Sequence, residues 1–570
     1  MNRPPAGPVT PITAPERLKL QGQKRQLLSM MHQRLMLAMI AFGLGITVVG
    51  GKLAWLAAFG MGDGEPRNAS NYLPTRGDIV DRDGQPLART INAWTIGVNP
   101  KRVIGNKLDL ARELAKLMPE RDEADYYALL KGERFNFLAR RASPRLVEAV
   151  NALGEPGIQI EEEPDRLYPQ TALAAHVIGY TNIDGHGVAG AERAFDDLLL
   201  DPARRNDPVV LSISAPVQGA LKAELSDAMT RFDAKGAAGV IMDIHSGEIL
   251  AMTSLPQLNP NVAGQGGDEA RFNRASLGSY ELGSTFKPFT VAMGIEAGQI
   301  VSMGQVYDCP DKLVIRKREI NDTHPFNRPC TVAEIMMESS NIGTAQIAMR
   351  LGAERQKEYL RKMRFLEKVD YELPERGPAL TPREWDELAT ITVGYGHGIA
   401  VSPVHLANGY ATLFNGGLYR PPTILKVGPE HPVPEGERVF SESTSQKMRA
   451  LLRLVVTHGT GRNADAPGYR VGGKTGTAEK LVNGRYSRTL VTTSFAGVFP
   501  IDEPRYVIVV MLDEPKGTKE TFGWRTAGWN VAPVVSETVA RIAPMLGVTP
   551  DATREPDMAS VLPFIREDEE

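Results

Sequence analysis

Gly283-Ser284-Thr285-Phe286-Lys287 is the stretch on which the reading of this 570-residue chain turns. Serine and lysine three apart lie on one face of a helix, which brings a hydroxyl and an amine together. A serine hydroxyl becomes a nucleophile when a base takes its proton, and a lysine can do so when burial or a second cation lowers its pKa. Gly283 permits close approach of backbone or substrate. The N-terminus of such a helix directs amide N–H groups toward the place where an oxyanion would form.

Two later stretches complete the pattern: Ser339-Ser340-Asn341 and Lys474-Thr475-Gly476-Thr477. S-x-x-K, S-x-N and K-T-G each occur once, in that order. Ser339 can relay a proton to a leaving amine, and Asn341 can hold Lys287 or a substrate amide. Lys474 supplies the second cation. With Thr475, Gly476 and Thr477 it forms a stretch suited to a terminal carboxylate. No triad histidine is needed.

The third motif has a rival, because Gly468 to Thr475 also fits the nucleotide-binding pattern G-x-x-x-x-G-K-[ST]. Val507 to Asp513 even resembles an apolar strand ending in a magnesium-holding aspartate. A phosphate loop must follow a strand and open a helix. Here Gly461 to Pro467 is polar and turn-like, and Asn483-Gly484 signals a hairpin soon after Thr477. The nucleotide reading is therefore set aside.

The N-terminus places the chemistry. Residues 1–34 carry six lysines and arginines against the single acid Glu16 and open on a Pro-rich stretch expected to be disordered. From Leu35 to Gly51 there is no charge, and apart from Lys52 the apolar run continues to Phe59, long enough to span a bilayer. Lys52 can snorkel and Trp55 can anchor at the interface. The basic flank should stay cytoplasmic, with everything after about residue 60 outside the inner membrane. A cleaved signal peptide is the alternative, but it has a shorter apolar region and seldom so long a basic one.

A net charge of -3 gives no sign of a clustered basic face, which argues against nucleic acid. The two cysteines, Cys309 and Cys330, lie beside no histidine at metal-ligand spacing. In an exported domain they could form a disulfide or remain as two buried thiols. Neither a cofactor nor a metal is expected.

Between anchor and nucleophile the chain reads as α+β. Trp94 to Val98 and Phe135 to Arg140 are strand-like, and Leu108 to Leu117 and Pro144 to Leu153 helical. His176, in the block from Arg166 to Glu192, reads as structural, with no acid-base partner beside it. From Gly236, the apolar runs Val240–Ile244 and Ile249–Thr253 form a hairpin. Ser494–Phe499 and Tyr506–Leu512 form two more strands, so a sheet takes strands from both ends of a domain with helices inserted. From about residue 551 the chain is acidic and expected to fray.

The three motifs, the segment Arg76 to Gly84, the block Arg166 to Glu192 and the stretch Gly394-Tyr395-Gly396-His397-Gly398-Ile399-Ala400-Val401-Ser402-Pro403 together resemble a class B penicillin-binding protein. Within that class the short basic tail, single anchor and modest pedestal most resemble the septal, FtsI-type peptidoglycan D,D-transpeptidase. The elongation-type enzyme shares the catalytic motifs. Leu282, where many relatives have proline, and Ser402, where threonine is common, are small departures without chemical consequence.

The resemblance implies a fold of cytoplasmic tail (1–34), anchor (35–59), periplasmic pedestal of the dimerisation type (60–210), serine β-lactamase-like transpeptidase domain (211–548) and acidic tail (549–570). It implies that Ser284 attacks the carbonyl between the terminal D-alanines of a stem pentapeptide, with an oxyanion hole from the N–H groups of Ser284 and Thr477. β-Lactams are then covalent inhibitors. An FtsW-type (SEDS) glycan polymerase and other division proteins are the implied partners. Class A β-lactamases add a deacylating glutamate, but no E-x-x-L-N occurs from Gly377-Pro378-Ala379-Leu380 onward. A β-lactam sensor lacks its cytoplasmic output domain here, and a silent scaffold does not need intact motifs. The stretch Trp524 to Asn530 resembles a loop at the site mouth, unless its indoles are packed.

Overall fold

The computed structural model describes residues 34–52, 75–482 and 484–566. Helix α1 (Arg34–Lys52) has 19 residues and a mean hydropathy of 1.8, and its side chains are exposed along its length. At about 1.5 Å per residue it is close to the thickness of a hydrocarbon core. It fits a single-pass anchor. The basic tail before Arg34, Trp55 and the apolar run to Phe59 lie outside the described residues.

The segment from Arg76 begins with β1 (Ile79–Val80), which pairs antiparallel with the long β2 (Pro86–Val98). Three helices follow in part from their caps. Asn106 caps α2 (Lys107–Leu117), Asp122 caps α3 (Glu123–Lys131), and Ser143 with a first-turn proline starts α4 (Pro144–Asn151). β3 (Asn136–Ala142) and β4 (Ile158–Leu167) both pair with β2. Ile96, Val98, Leu110, Leu114, Tyr126 and Leu130 form a small core of their own.

Glu192 joins the two halves of this pedestal. Fully buried, it accepts hydrogen bonds from Arg76 Nε at 3.0 Å and Arg166 Nε at 2.7 Å. Arg166 also donates to the Gly77 carbonyl at 2.9 Å. A buried carboxylate between two guanidiniums is tolerated because every charge has a partner. β5 (Val209–Val210) then runs parallel to β1 and leads into α5 (Ala215–Arg231).

The second sheet is antiparallel. β6 (Gly236–Asp243) and β7 (Ile249–Leu255) form the early hairpin, and β8 (Gly472–Val482), β9 (Arg485–Phe499) and β10 (Tyr506–Asp513) come from far downstream. The strand order β8-β9-β10-β6-β7 leaves β8 at an edge. Helices inserted between the two groups include α6 (Lys287–Glu296), α7 (Asn341–Leu351), α8 (Pro403–Phe414) and α9 (Glu442–Thr457), and α10 (Val531–Ile542) closes the domain. Alternate residues face opposite layers. Ile241, Ile508 and Val510 pack with Leu221 and Leu225 of α5 and Val535 of α10. Val240, Val507 and Val509 share the other layer with Phe289, Leu406 and Tyr410. Coverage on both faces explains why these strands read as unbroken apolar runs.

Cys309 and Cys330 form a disulfide with a Cα separation of 5.8 Å. The C-terminal stretch does not fray as expected. Val561 is fully buried, Phe564 O accepts a hydrogen bond from Thr331 Oγ1 at 2.7 Å, and Glu555 pairs with the buried Arg453. Its acidic composition conceals apolar and ionic anchors that only the fold presents. Residues 567–570 are outside the described ones.

Candidate active site

Ser284 lies in a 3-10 turn, Gly283–Phe286, and α6 begins at Lys287. The expected α-helical spacing is thus a 3-10 spacing, which still puts residues three apart on one edge. Gly283 has φ +56, and a Cβ there would lie 3.0 Å from Thr477 O. A Cβ on Gly476 would meet Leu282 O at 2.3 Å. These two glycines bring the nucleophile turn directly onto edge strand β8. The Gly396 carbonyl accepts from Gly283 N at 3.2 Å, closing the other side.

Lys287 is fully buried. Its Nζ donates to the Ser339 carbonyl, to Ser339 Oγ at 3.2 Å and to Asn341 Oδ1 at 2.7 Å. Burial, then the charge of Lys474, hold its pKa well below the ordinary lysine range, against the pull of Asp322. A neutral amine is what a base for Ser284 requires.

Asp322 is a residue that the motifs did not mark. Its carboxylate accepts from Ser340 Oγ at 2.6 Å, Asn341 N at 2.5 Å and Ile342 N at 3.1 Å. It anchors the start of α7 and thereby the two side chains that hold Lys287. Ser339 itself sits at φ +62, a left-handed conformation uncommon outside glycine, and this clamp secures it.

Lys474 is also fully buried, on β8, and burial lowers its pKa to about 7 with Glu338 opposing. Its Nζ donates to Thr475 O at 3.1 Å and lies 3.5 Å from Thr460 Oγ1. Thr460 is a second unmarked residue, its hydroxyl 2.8 Å from Thr475 Oγ1. Thr477 Oγ1 accepts from Ala527 N at 3.0 Å, which ties the Trp524–Asn530 loop to the same strand. The indoles of that loop are partly open: Trp524 is 56% and Trp529 40% exposed, the latter lying edge-on to the Phe522 ring at 5.8 Å.

Ser284, Lys287, Ser339, Asn341, Lys474, Thr475, Gly476 and Thr477 therefore gather along one edge of the sheet. Gly476 serves the close packing of strand and turn. Lys474 belongs to a strand that turns into another strand, with no helix after it, so the phosphate-loop reading fails on structure. His176 is buried, donates from Nε2 to Ala270 O at 2.9 Å, and burial pushes its pKa down to about 4. That matches a structural histidine.

Residues 237–533 match the model of the penicillin-binding protein transpeptidase domain, and 71–197 that of the penicillin-binding protein dimerisation domain. The chain is 38% identical over 528 residues to a probable peptidoglycan D,D-transpeptidase FtsI of Caulobacter vibrioides, covering 90% of this chain and 89% of that one. It is 29% identical to the peptidoglycan D,D-transpeptidase FtsI of Escherichia coli K12, over 88% and 90% of the two chains. Penicillin-binding protein 3 of Mycobacterium tuberculosis, solved with ampicillin, superposes with a TM-score of 0.68 at 26% identity, covering 85% of this chain and 98% of that one. The edge-strand site, the pedestal ahead of it and near full-length relatives agree, and the chain belongs to the class B penicillin-binding proteins.

Proposed function

We propose that this chain is a septal peptidoglycan D,D-transpeptidase that cross-links stem peptides through a Ser284 acyl-enzyme. The observation that carries the reading is the buried, hydrogen-bonded Lys287 one turn from Ser284 and close enough to Lys474 to feel its charge. Neutral Lys287 takes the Ser284 proton as Oγ attacks the carbonyl between the two D-alanines. The N–H groups of Ser284 and Thr477 stabilise the oxyanion. The proton passes through Ser339 to the departing amine, the C–N bond breaks, and an ester remains. The amine of a second stem peptide then attacks the ester, its proton returns to Oγ, and an amide cross-link forms. Lys474, Thr475 and Thr477 hold the terminal carboxylate. β-Lactams, which present a similar carbonyl and carboxylate, acylate the same oxygen.

The basic residues before α1 support a cytoplasmic N-terminus and a catalytic domain on the periplasmic side of the inner membrane. The FtsI-type relatives favour a division role over elongation, beside a glycan polymerase of the FtsW type and other division proteins. Depletion of the protein tests this. Filamentous cells are expected, and rounded cells of normal length would assign it to elongation.

A further inference from the structure

Glu281, three residues before Ser284, is unused in the mechanism above. Its Oε1 accepts from Gly398 N at 3.0 Å and from Tyr486 OH at 3.0 Å. Its Oε2 is buried with no hydrogen-bond partner. Among the described residues no lysine or arginine pairs with it. The niche is walled by aromatic rings, with His397 5.4 Å from Tyr395 and 6.1 Å from Tyr486 between ring centres. Burial, reinforced by Lys287, pushes His397 down to about 4, so the wall is uncharged near neutral pH. A carboxylate beside neutral rings, with one oxygen unpaired, is suited to a cation.

Its position along β8 selects which cation. Lys474 and Thr475 lie at one end, the nucleophile turn packs at Thr477, and Tyr486 pairs with Leu481 beyond it across the hairpin. The donor reading above, on which this inference rests, sets the C-terminal carboxylate at the Lys474 end. An extended donor added to the edge strand then runs toward Glu281 with the residue that precedes the cleaved D-Ala-D-Ala pair. At about 3.4 Å per residue that residue is within one long side chain of the niche.

We propose that Glu281, framed by Tyr486, His397 and the Gly398 amide, recognises a free ammonium on the side chain of that preceding stem residue. The donor is accordingly a peptide whose diamino acid keeps its side-chain amine unmodified. Burial raises the Glu281 carboxyl pKa, and an ammonium brought to it favours the anion.

The test uses the full-length protein in detergent and two thioester donors ending in acyl-D-alanine, identical except that the diamino-acid amine is free in one and acetylated in the other. Thiol release is followed. The wild type should prefer the free amine at least about tenfold in kcat/KM, mostly through KM, as expected for a charge-assisted contact. In Glu281→Gln the preference should shrink to within about twofold, with partial recovery in Glu281→Asp. Fluorescent penicillin labelling of the variants reports whether the site is assembled. A wild type without preference, a Glu281→Gln variant that keeps it, or one that no longer labels would each overturn the proposal. The wild-type comparison needs no variant to fold. If the wild type turns over neither donor, the transpeptidase reading itself fails, which is a different outcome.

Discussion

At the scale of the residue, the proposed chemistry rests on two buried lysines. Both are desolvated, and Lys287 is also pushed down by the charge of Lys474. A Lys287→Ala variant should slow penicillin acylation by at least ~10² while keeping its folded spectrum, as expected on losing a general base. Stopped-flow acylation checks this. The sign of the pH effect follows from the same pair. Acylation rises as Lys287 loses its proton, below the ordinary lysine range, and for the free enzyme falls above about pH 7 as Lys474 loses its own. The motif lysines were legible in the sequence because each pattern occurs once. Asp322 and Thr460 were not, since an isolated aspartate or threonine carries no local pattern and acts only through segments brought near by folding.

At the scale of the element, the site is a junction of a 3-10 turn, the start of α7 and an edge strand. Asp322 holds the α7 start through Ser340, Asn341 and Ile342. An Asp322→Ala variant should lose ordered placement of Asn341 and slow acylation by roughly 10- to 100-fold, the range of a misplaced general base. Its pH profile should also move to lower pH, because Asp322 raises the Lys287 pKa. Strands with both faces covered, such as β6 and β10, were readable as apolar runs. β4 was not. It carries Glu161, Glu162, Glu163 and Pro164 because much of it is half-buried or exposed, yet it pairs with β2 along ten positions. Helix α3 also escaped reading, since its capping aspartate is clear but only Tyr126 and Leu130 are buried.

At the scale of the whole molecule, the pedestal and transpeptidase regions are each built around buried polar groups that need their charge state kept. His176, His397 and His405 are each pushed by burial from 6.5 to about 4. Between those values the unfolded chain binds more protons than the folded one, so stability falls as pH drops from 6.5 toward 4. Thermal unfolding followed by circular dichroism should give a lower midpoint at about pH 5 than at about pH 7. Equal midpoints would mean these imidazoles are not buried neutral. The two-region architecture was legible from the change in texture near Gly236. The ordered C-terminal stretch was not, because the short apolar run Val561-Leu562-Pro563-Phe564-Ile565 sits in an acidic segment and gains meaning only against Thr331 and its neighbours.

The central claim is that Ser284 is the acylated nucleophile. Full-length protein exposed to benzylpenicillin, digested and sequenced by mass spectrometry, should carry one penicilloyl group on Ser284, and Ser284→Ala should carry none. An adduct on any other residue, or labelling that persists in Ser284→Ala, would contradict the account.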